Sequence, residues 1–186
     1  MKRSMIRWRL AGVSYAMLAL GLTACVTTSK YNSMLQQQQA LEGSLQSEIN
    51  ADQVKIEQLE DGIRVRISGE LLYHSGSVML SPSGRQALSK VAPQLATMAA
   101  QNNEIDVIGN TDDVPIGPEL AERYPSNWEL AGARAAVVVR YLQENGVDPS
   151  KLRAVSQGQY HPVDPNNSAV GREHNRRTDL IVRPTH

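Results

Sequence analysis

Asp112, Asp113 and Arg134 are the residues best placed to do chemistry. The two aspartates lie in Gly109-Asn110-Thr111-Asp112-Asp113, a polar stretch directly after an apolar run, and the arginine follows inside a segment of helical periodicity. A carboxylate at the C-terminal end of a strand, beside a guanidinium two turns into the next helix, puts opposite charges on the rim of one groove. Such a groove receives a zwitterion: the aspartate takes an ammonium, and the arginine forks onto a carboxylate with two parallel hydrogen bonds. The same two charges could instead form a structural ion pair at the loop base, and the residues alone leave both roles open. A second polar group, Gly171-Arg172 with Asn175-Arg176-Arg177, precedes the last apolar run. Side chains alternate across a strand, so one of Arg176 and Arg177 is expected to face the groove and the other to be a solvated charge.

Catalytic arrangements find little support. The histidines are 74, 161, 174 and 186, and no two have the i, i+4 spacing of a helical zinc site. One cysteine, Cys25, excludes an intrachain disulfide and a cysteine metal cluster. GxSxG, P-loop and GxGxxG patterns are absent from the sequence. The expectation is a binding protein, not an enzyme, with no metal and no cofactor.

The elements that must hold these groups can be read from periodicity. Ile63, Val65 and Ile67 alternate with Arg64, Arg66 and Ser68, a half-buried strand. Ser81-Pro82 opens a helix whose buried face is Leu88, Val91, Leu95 and Met98, with Pro93 expected to kink it. Residues 104–109 form a second strand. A Pro- and Gly-rich loop then runs from 110 to 125, and Ser126 with Glu129 makes a capping box. The helix it starts is expected to bury Trp128, Ala131, Ala135, Val138 and Leu142, with Arg134 on another face, and Asn145-Gly146 stops it. Residues 152–156 are a third strand, 168–175 a short helix and 178–183 a fourth strand. The order β-α-β-α-β-α-β implies an α/β (α+β) sandwich, with helices packed on a mixed four-stranded sheet.

Upstream, residues 31–63 carry a heptad pattern. Seven of ten core slots are apolar (Tyr31, Leu35, Leu45, Ile49, Ile56, Leu59, Ile63), whereas Gln38, Glu42 and Asp52 break the seam. This reads as a helical spacer ending at Asp61-Gly62. It is either a weak coiled coil that self-associates or docks on a periplasmic or inner-membrane protein, or a solvated helix that pairs with nothing. Further upstream, Lys2, Arg3, Arg7 and Arg9 precede the apolar stretch 10–22, and no acidic residue occurs before Glu42. A basic segment and a short apolar one make a secretory signal; the run is too short to span a bilayer, which needs about 20 residues. The whole chain is formally neutral, with 19 basic and 19 acidic residues, which removes any compositional case for nucleic-acid binding. Without residues 1–24 it has 15 basic residues against 19 acidic ones, a net charge of −4.

Two resemblances add to this reading. Leu22-Thr23-Ala24-Cys25 resembles the lipobox of bacterial lipoproteins, in which the cysteine is acylated and becomes the N-terminus. An ordinary signal with an incidental cysteine is the alternative. Val26 after the cysteine resembles the outer-membrane sorting pattern. The stretches GNTDDVPIG, SNWELAGARA and GREHNRR, in that order, resemble the OmpA-like peptidoglycan-binding domain, with the first two nearest its MotB-type branch. The likeness is spread over residues 62–183. It implies non-covalent binding of peptidoglycan through the diaminopimelate of the stem peptide, gripped by Asp112 and Arg134. Thr111, Asn127, Arg176 and Arg177 complete the implied set. Three departures stand out: Asn110 where the family has His, Ala131-Gly132 in the helix, and Tyr73 in place of Phe in Tyr73-His74-Ser75-Gly76-Ser77. The expected organisation is a lipoprotein signal peptide (1–24), a lipidated N-terminus with helical spacer (25–61) and the OmpA-like domain (62–186). The implied protein is a lipid-anchored tether facing the periplasm from the outer membrane. The alternative is a regulatory or assembly lipoprotein whose spacer grips another protein.

Overall fold

The computed structural model describes residues 31–185, so the signal segment and Cys25 lie outside the described residues. The chain divides into two compact units, residues 1–37 and 38–186. Of the first unit, residues 31–37 are helical. All that follows concerns the second.

Residues 38–44 are helical (α1) and are followed by α2 (Gln46–Asn50), β1 (Val54–Gln58), β2 (Ile63–Ser68) and α3 (Gly69–Leu72). Then come α4 (Pro82–Ala100), β3 (Asn103–Asn110), α5 (Pro118–Ala121) and α6 (Asn127–Glu144). A 3-10 turn (Pro149–Lys151) leads into β4 (Leu152–Gly158), and α7 (Ala169–Asn175) into β5 (Arg177–Pro184). The mixed α/β class expected from the sequence is what forms. The sheet has five strands rather than four, in the order β1-β2-β5-β3-β4, with only the β3–β4 pair parallel.

The added strand corrects the spacer reading. The helix does not reach residue 61: Asp52 adopts a left-handed φ of 57°, and the chain turns back as β1. Val54 and Ile56 then pair across from Ile67 and Val65. Leu41 and Leu45 are fully buried in the same core as the sheet and α4, so the apolar side of this stretch closes the domain's own core. Asp61-Gly62 belongs to the β1–β2 hairpin turn, where Leu59 N donates to Gly62 O at 2.8 Å.

The register divides the sheet into two faces. Ile63, Val65, Ile67, Ile105, Val107, Leu180 and Val182 share one face and are buried against Leu88, Val91 and Leu95 of α4 and Ala135, Val138 and Leu142 of α6. The other face carries Arg64, Arg66, Asp106, Asp179 and Arg153, joined in cross-strand ion pairs such as Arg66–Asp179 (3.1 Å) and Arg153–Asp106 (2.6 Å). The helix starts follow the sequence signals. Ser81 caps α4 by accepting from Gly84 N, and Ser126 and Glu129 form the capping box of α6. Pro93 lies inside α4 without ending it. Trp128 departs from the expected buried face: it lies in the first turn of α6, overhangs the sheet edge and is 45% exposed.

Candidate functional site

The cleft lies where β3 ends and α6, α3 and α7 converge. Strand β3 can approach α6 closely because Gly109 has no side chain: a Cβ there would stand 2.1 Å from Ala131 O. The loop leaving β3 is pinned at its first residue, where Thr111 N donates to Gly158 O (2.8 Å), and Thr111 Oγ1 donates to Asp112 O (2.8 Å). Asn127 clamps the same loop from the start of α6. Its Nδ2 donates to Asp112 O (3.4 Å), Val114 O (3.2 Å) and Gln159 Oε1 (2.7 Å). Thr111 and Asn127 are thus largely buried residues that shape the loop, and both also line the cleft.

Asp112 is 7% exposed. Its Oδ1 accepts from Val114 N (3.2 Å), fixing the turn, and its Oδ2 accepts from Arg176 Nη1 (2.8 Å). Arg176 also donates to Glu70 Oε1 (3.2 Å). Burial works against the Arg176 charge, but the Asp112 and Glu70 carboxylates outweigh it and raise its pKa.

Arg134 is held by a carbonyl and not by a carboxylate. Its Nε and Nη2 both donate to Ser77 O, at 3.1 and 3.0 Å, and its guanidinium lies over the Tyr73 ring, 5.1 Å from the centroid. Of the five N–H donors of an arginine, those two contacts use two and leave three. Burial lowers the Arg134 pKa from its usual value, with Tyr73 and Asp112 acting in the opposite sense. Tyr73 is itself fixed: its hydroxyl donates to Arg134 O (3.2 Å) and meets Thr178 Oγ1 (2.8 Å), and burial pushes it up to about 12.

Together these groups line an open cleft of about 650 Å³. Asp112, Arg134, Thr111, Asn127 and Arg176 all contribute to its wall. Arg177 does not, which corrects its place in the expected set. It is 5% exposed and donates to Asp179 Oδ2 (3.1 Å), Asn175 O (3.3 Å) and His161 O (3.0 Å), as part of the fold. Of the two adjacent arginines, Arg176 faces the cleft. Asp112 and Arg134 are not bonded to each other, since Arg176 and the Ser77 carbonyl hold them apart. Asn110, the departure from the family histidine, is 2% exposed and outside the cleft lining; its Nδ2 donates to Ile108 O. Glu70, Tyr73 and the Ser77 carbonyl were not expected as site groups. For Tyr73 and Ser77, the departure at Tyr73-His74-Ser75-Gly76-Ser77 was the available signal.

No group of three or more His, Cys, Asp or Glu side chains suited to a metal occurs among the described residues. A buried carboxylate and an arginine with spare donors in one concavity can instead take a ligand bearing both charges.

Residues 72–176 match the OmpA family. The chain belongs to that family. Outer membrane protein A of Bordetella avium is 31% identical over 119 residues, 64% of this chain and 57% of that protein. The "Probable lipoprotein YiaD" of Escherichia coli K12 is 29% identical over 143 residues, 77% of this chain and 61% of that one. This OmpA-family chain spans about half the length of the curated relatives it matches. Among solved structures, the cell wall anchor of the T6SS from Pseudomonas aeruginosa superposes with a TM-score of 0.69 at 32% identity, over 78% of this chain and 97% of that one.

Proposed function

We propose that this protein is an outer-membrane lipoprotein, acylated at Cys25, that binds peptidoglycan non-covalently and so ties the membrane to the cell wall. The ligand is the diaminopimelate of the stem peptide, whose side chain ends in an ammonium and a carboxylate. The single observation that carries this reading is the Asp112–Arg134 arrangement: a buried carboxylate and a half-buried guanidinium in one cleft, neither neutralised by the other. The ammonium goes to Asp112, and the carboxylate to the free N–H groups of Arg134. Arg176 bonds Asp112 and is itself held by Glu70, and Thr111 and Asn127 keep the Asp112 loop in place. The membrane part rests on the signal-like N-terminus and Cys25, and on the likeness to YiaD and OmpA. Acyl chains contribute about 0.8 kcal/mol per buried CH₂, so several chains hold where one does not.

A second reading is favoured by the likeness to the T6SS cell wall anchor: wall binding would position a partner in an envelope assembly. Leu41 and Leu45 are committed to the domain core, so a partner is held elsewhere than by that part of the heptad stretch. The test of the main reading uses the full-length protein in a Gram-negative host. Wild type should fractionate with outer membranes and cosediment with purified sacculi. Cys25→Ser should leave the membrane fraction yet still bind sacculi, and Arg134→Ala should stay in the membrane yet lose the sacculi. Wild-type protein that ignores sacculi contradicts the reading.

A further inference from the structure

Beside the cleft, two large aromatic rings stand in solvent. Trp128 is 45% and Tyr160 61% exposed, and their rings stack with centroids 5.3 Å apart and 27° between planes. Neither the indole N–H nor the Tyr160 hydroxyl makes a hydrogen bond among the described residues. The pair is built into the fold. Gly158 adopts a left-handed φ of 54°, and a Cβ there would lie 3.4 Å from the indole Cδ2, so the bare backbone supports the ring from beneath. Gly158 O is also the acceptor that pins Thr111, and Asn127 and Gln159, the residues preceding each ring, bond to one another at 2.7 Å. The aromatic pair and the cleft therefore share one scaffold.

We infer that Trp128 and Tyr160 form a platform for the sugar rings of the glycan strand. This deepens the proposed function and rests on it, because a stem peptide held in the cleft brings its own sugar to the rim. Diaminopimelate stands third in the stem, so about 10 Å of extended chain separates it from the muramic acid. A pyranose presents C–H bonds on one face and hydroxyl and acetamido groups around its edge. The C–H face matches an exposed aromatic surface, and the polar edge matches the free indole N–H and phenol O–H. Because the rings stack, the sugar meets the parts of the two faces and edges that the stack leaves exposed.

The test separates the glycan from the stem. Full-length wild type, Trp128→Ala, Tyr160→Ala, Trp128→Phe and Asp112→Ala are titrated with glycan strands stripped of stems by an amidase, and separately with free stem peptide. Wild type should bind the stripped strands. Trp128→Ala and Tyr160→Ala should each weaken that binding about fivefold or more. Trp128→Phe, which keeps an aromatic face and reports on folding, should retain most of it. Asp112→Ala should bind stripped strands like wild type while losing the stem peptide. No binding of stripped strands by wild type, or equal binding by both alanine variants, overturns the platform. Loss of stripped-strand binding in Asp112→Ala overturns it too, by placing the sugar elsewhere. Failure of the stem arm alone sinks the cleft assignment and leaves the platform standing.

Discussion

Two buried aspartates meet arginines in this domain, and the two settings differ in what they leave over. On the ion-paired sheet face, Asp179 lies between Arg66 and Arg177, at 3.1 Å from each, and neighbouring carboxylates close pairs of their own with Lys55, Arg64 and Arg153. In the cleft, Asp112 takes one arginine bond, while Arg134 is satisfied only by the Ser77 carbonyl. Both regions set a buried carboxylate against arginine, which is buried at Arg177 on the sheet face and half-buried at Arg134 and Arg176 in the cleft. The sheet face uses the pairing to join strands, and the cleft keeps part of its hydrogen-bonding capacity free in a concave space. Charge that is fully paired holds the fold, and charge that is partly committed inside a cleft keeps hydrogen-bonding capacity that a ligand can use.

The contrast can be broken first at Asp179. Asp179→Ala strands two arginines, so the domain should lose about 3–5 kcal/mol of stability, while the protein that remains folded binds sacculi as before. Urea unfolding with a parallel sacculus pull-down reads both quantities, and a stable variant that has lost binding would erase the distinction. Next comes Tyr73, beneath Arg134. Burial raises its hydroxyl from 10.0 to about 12, so the folded chain keeps a proton that the unfolded chain releases above pH 10. Its contribution is complete below pH 10 and is lost as pH rises through 12, about 2–3 kcal/mol in all. Tyr73→Phe should lack that alkaline decline relative to wild type in stability curves taken from pH 9 to 12. Arg176→Ala and Arg177→Ala should differ in what they cost. Arg176 is a third exposed but its partner Asp112 is buried, so its loss should cost about 1–3 kcal/mol of stability. It should alter stem-peptide affinity, whereas Arg177→Ala should cost stability and spare affinity. Thermal melts beside calorimetric titrations decide between these patterns. The smallest effect is at Gly132 in α6, where an added Cβ would meet only Ser156 Cβ at 3.6 Å. Gly132→Ala should stabilise the domain by about 0.5–1 kcal/mol without touching binding, as melting will show.

Local rules made much of the fold legible. The capping box at Ser126, the alternation through Ile63, Val65 and Ile67, and the face of α4 all stand as their spacing dictates. The spacer did not, for a physical reason. Asp52 fits a heptad as a polar slot, yet its tolerance of the left-handed conformation ends the helix there. Ile56 suits both the helical spacing and the strand alternation of Val54 and Ile56, and only pairing with β2 chooses between them. Trp128 kept the helical phase of the buried residues but lies against the edge strand β4 and is exposed, which periodicity cannot register. In the site, Asp112 and Arg134 could be named because each sits in a compact local stretch. The pairing of Asp112 with Arg176, 64 residues away, and of Arg134 with the Ser77 carbonyl, 57 residues away, depends on tertiary packing that no local spacing encodes.

The central claim, that the cleft is a receptor for a zwitterion, is tested most directly by calorimetric titration of the full-length protein with a diaminopimelate-containing stem tripeptide. Wild type, Asp112→Ala, Arg134→Ala and the exposed neighbour Asp113→Ala are compared, each with a thermal melt. A charge-assisted hydrogen bond contributes about 1.5–3 kcal/mol, so Asp112→Ala and Arg134→Ala should each weaken binding about tenfold to a hundredfold. Their melting temperatures should stay near that of wild type, and Asp113→Ala should bind as wild type does. Unchanged affinity in the folded fraction of Asp112→Ala and Arg134→Ala, with both melting at lower temperature, would make these charges part of the scaffold and contradict the claim.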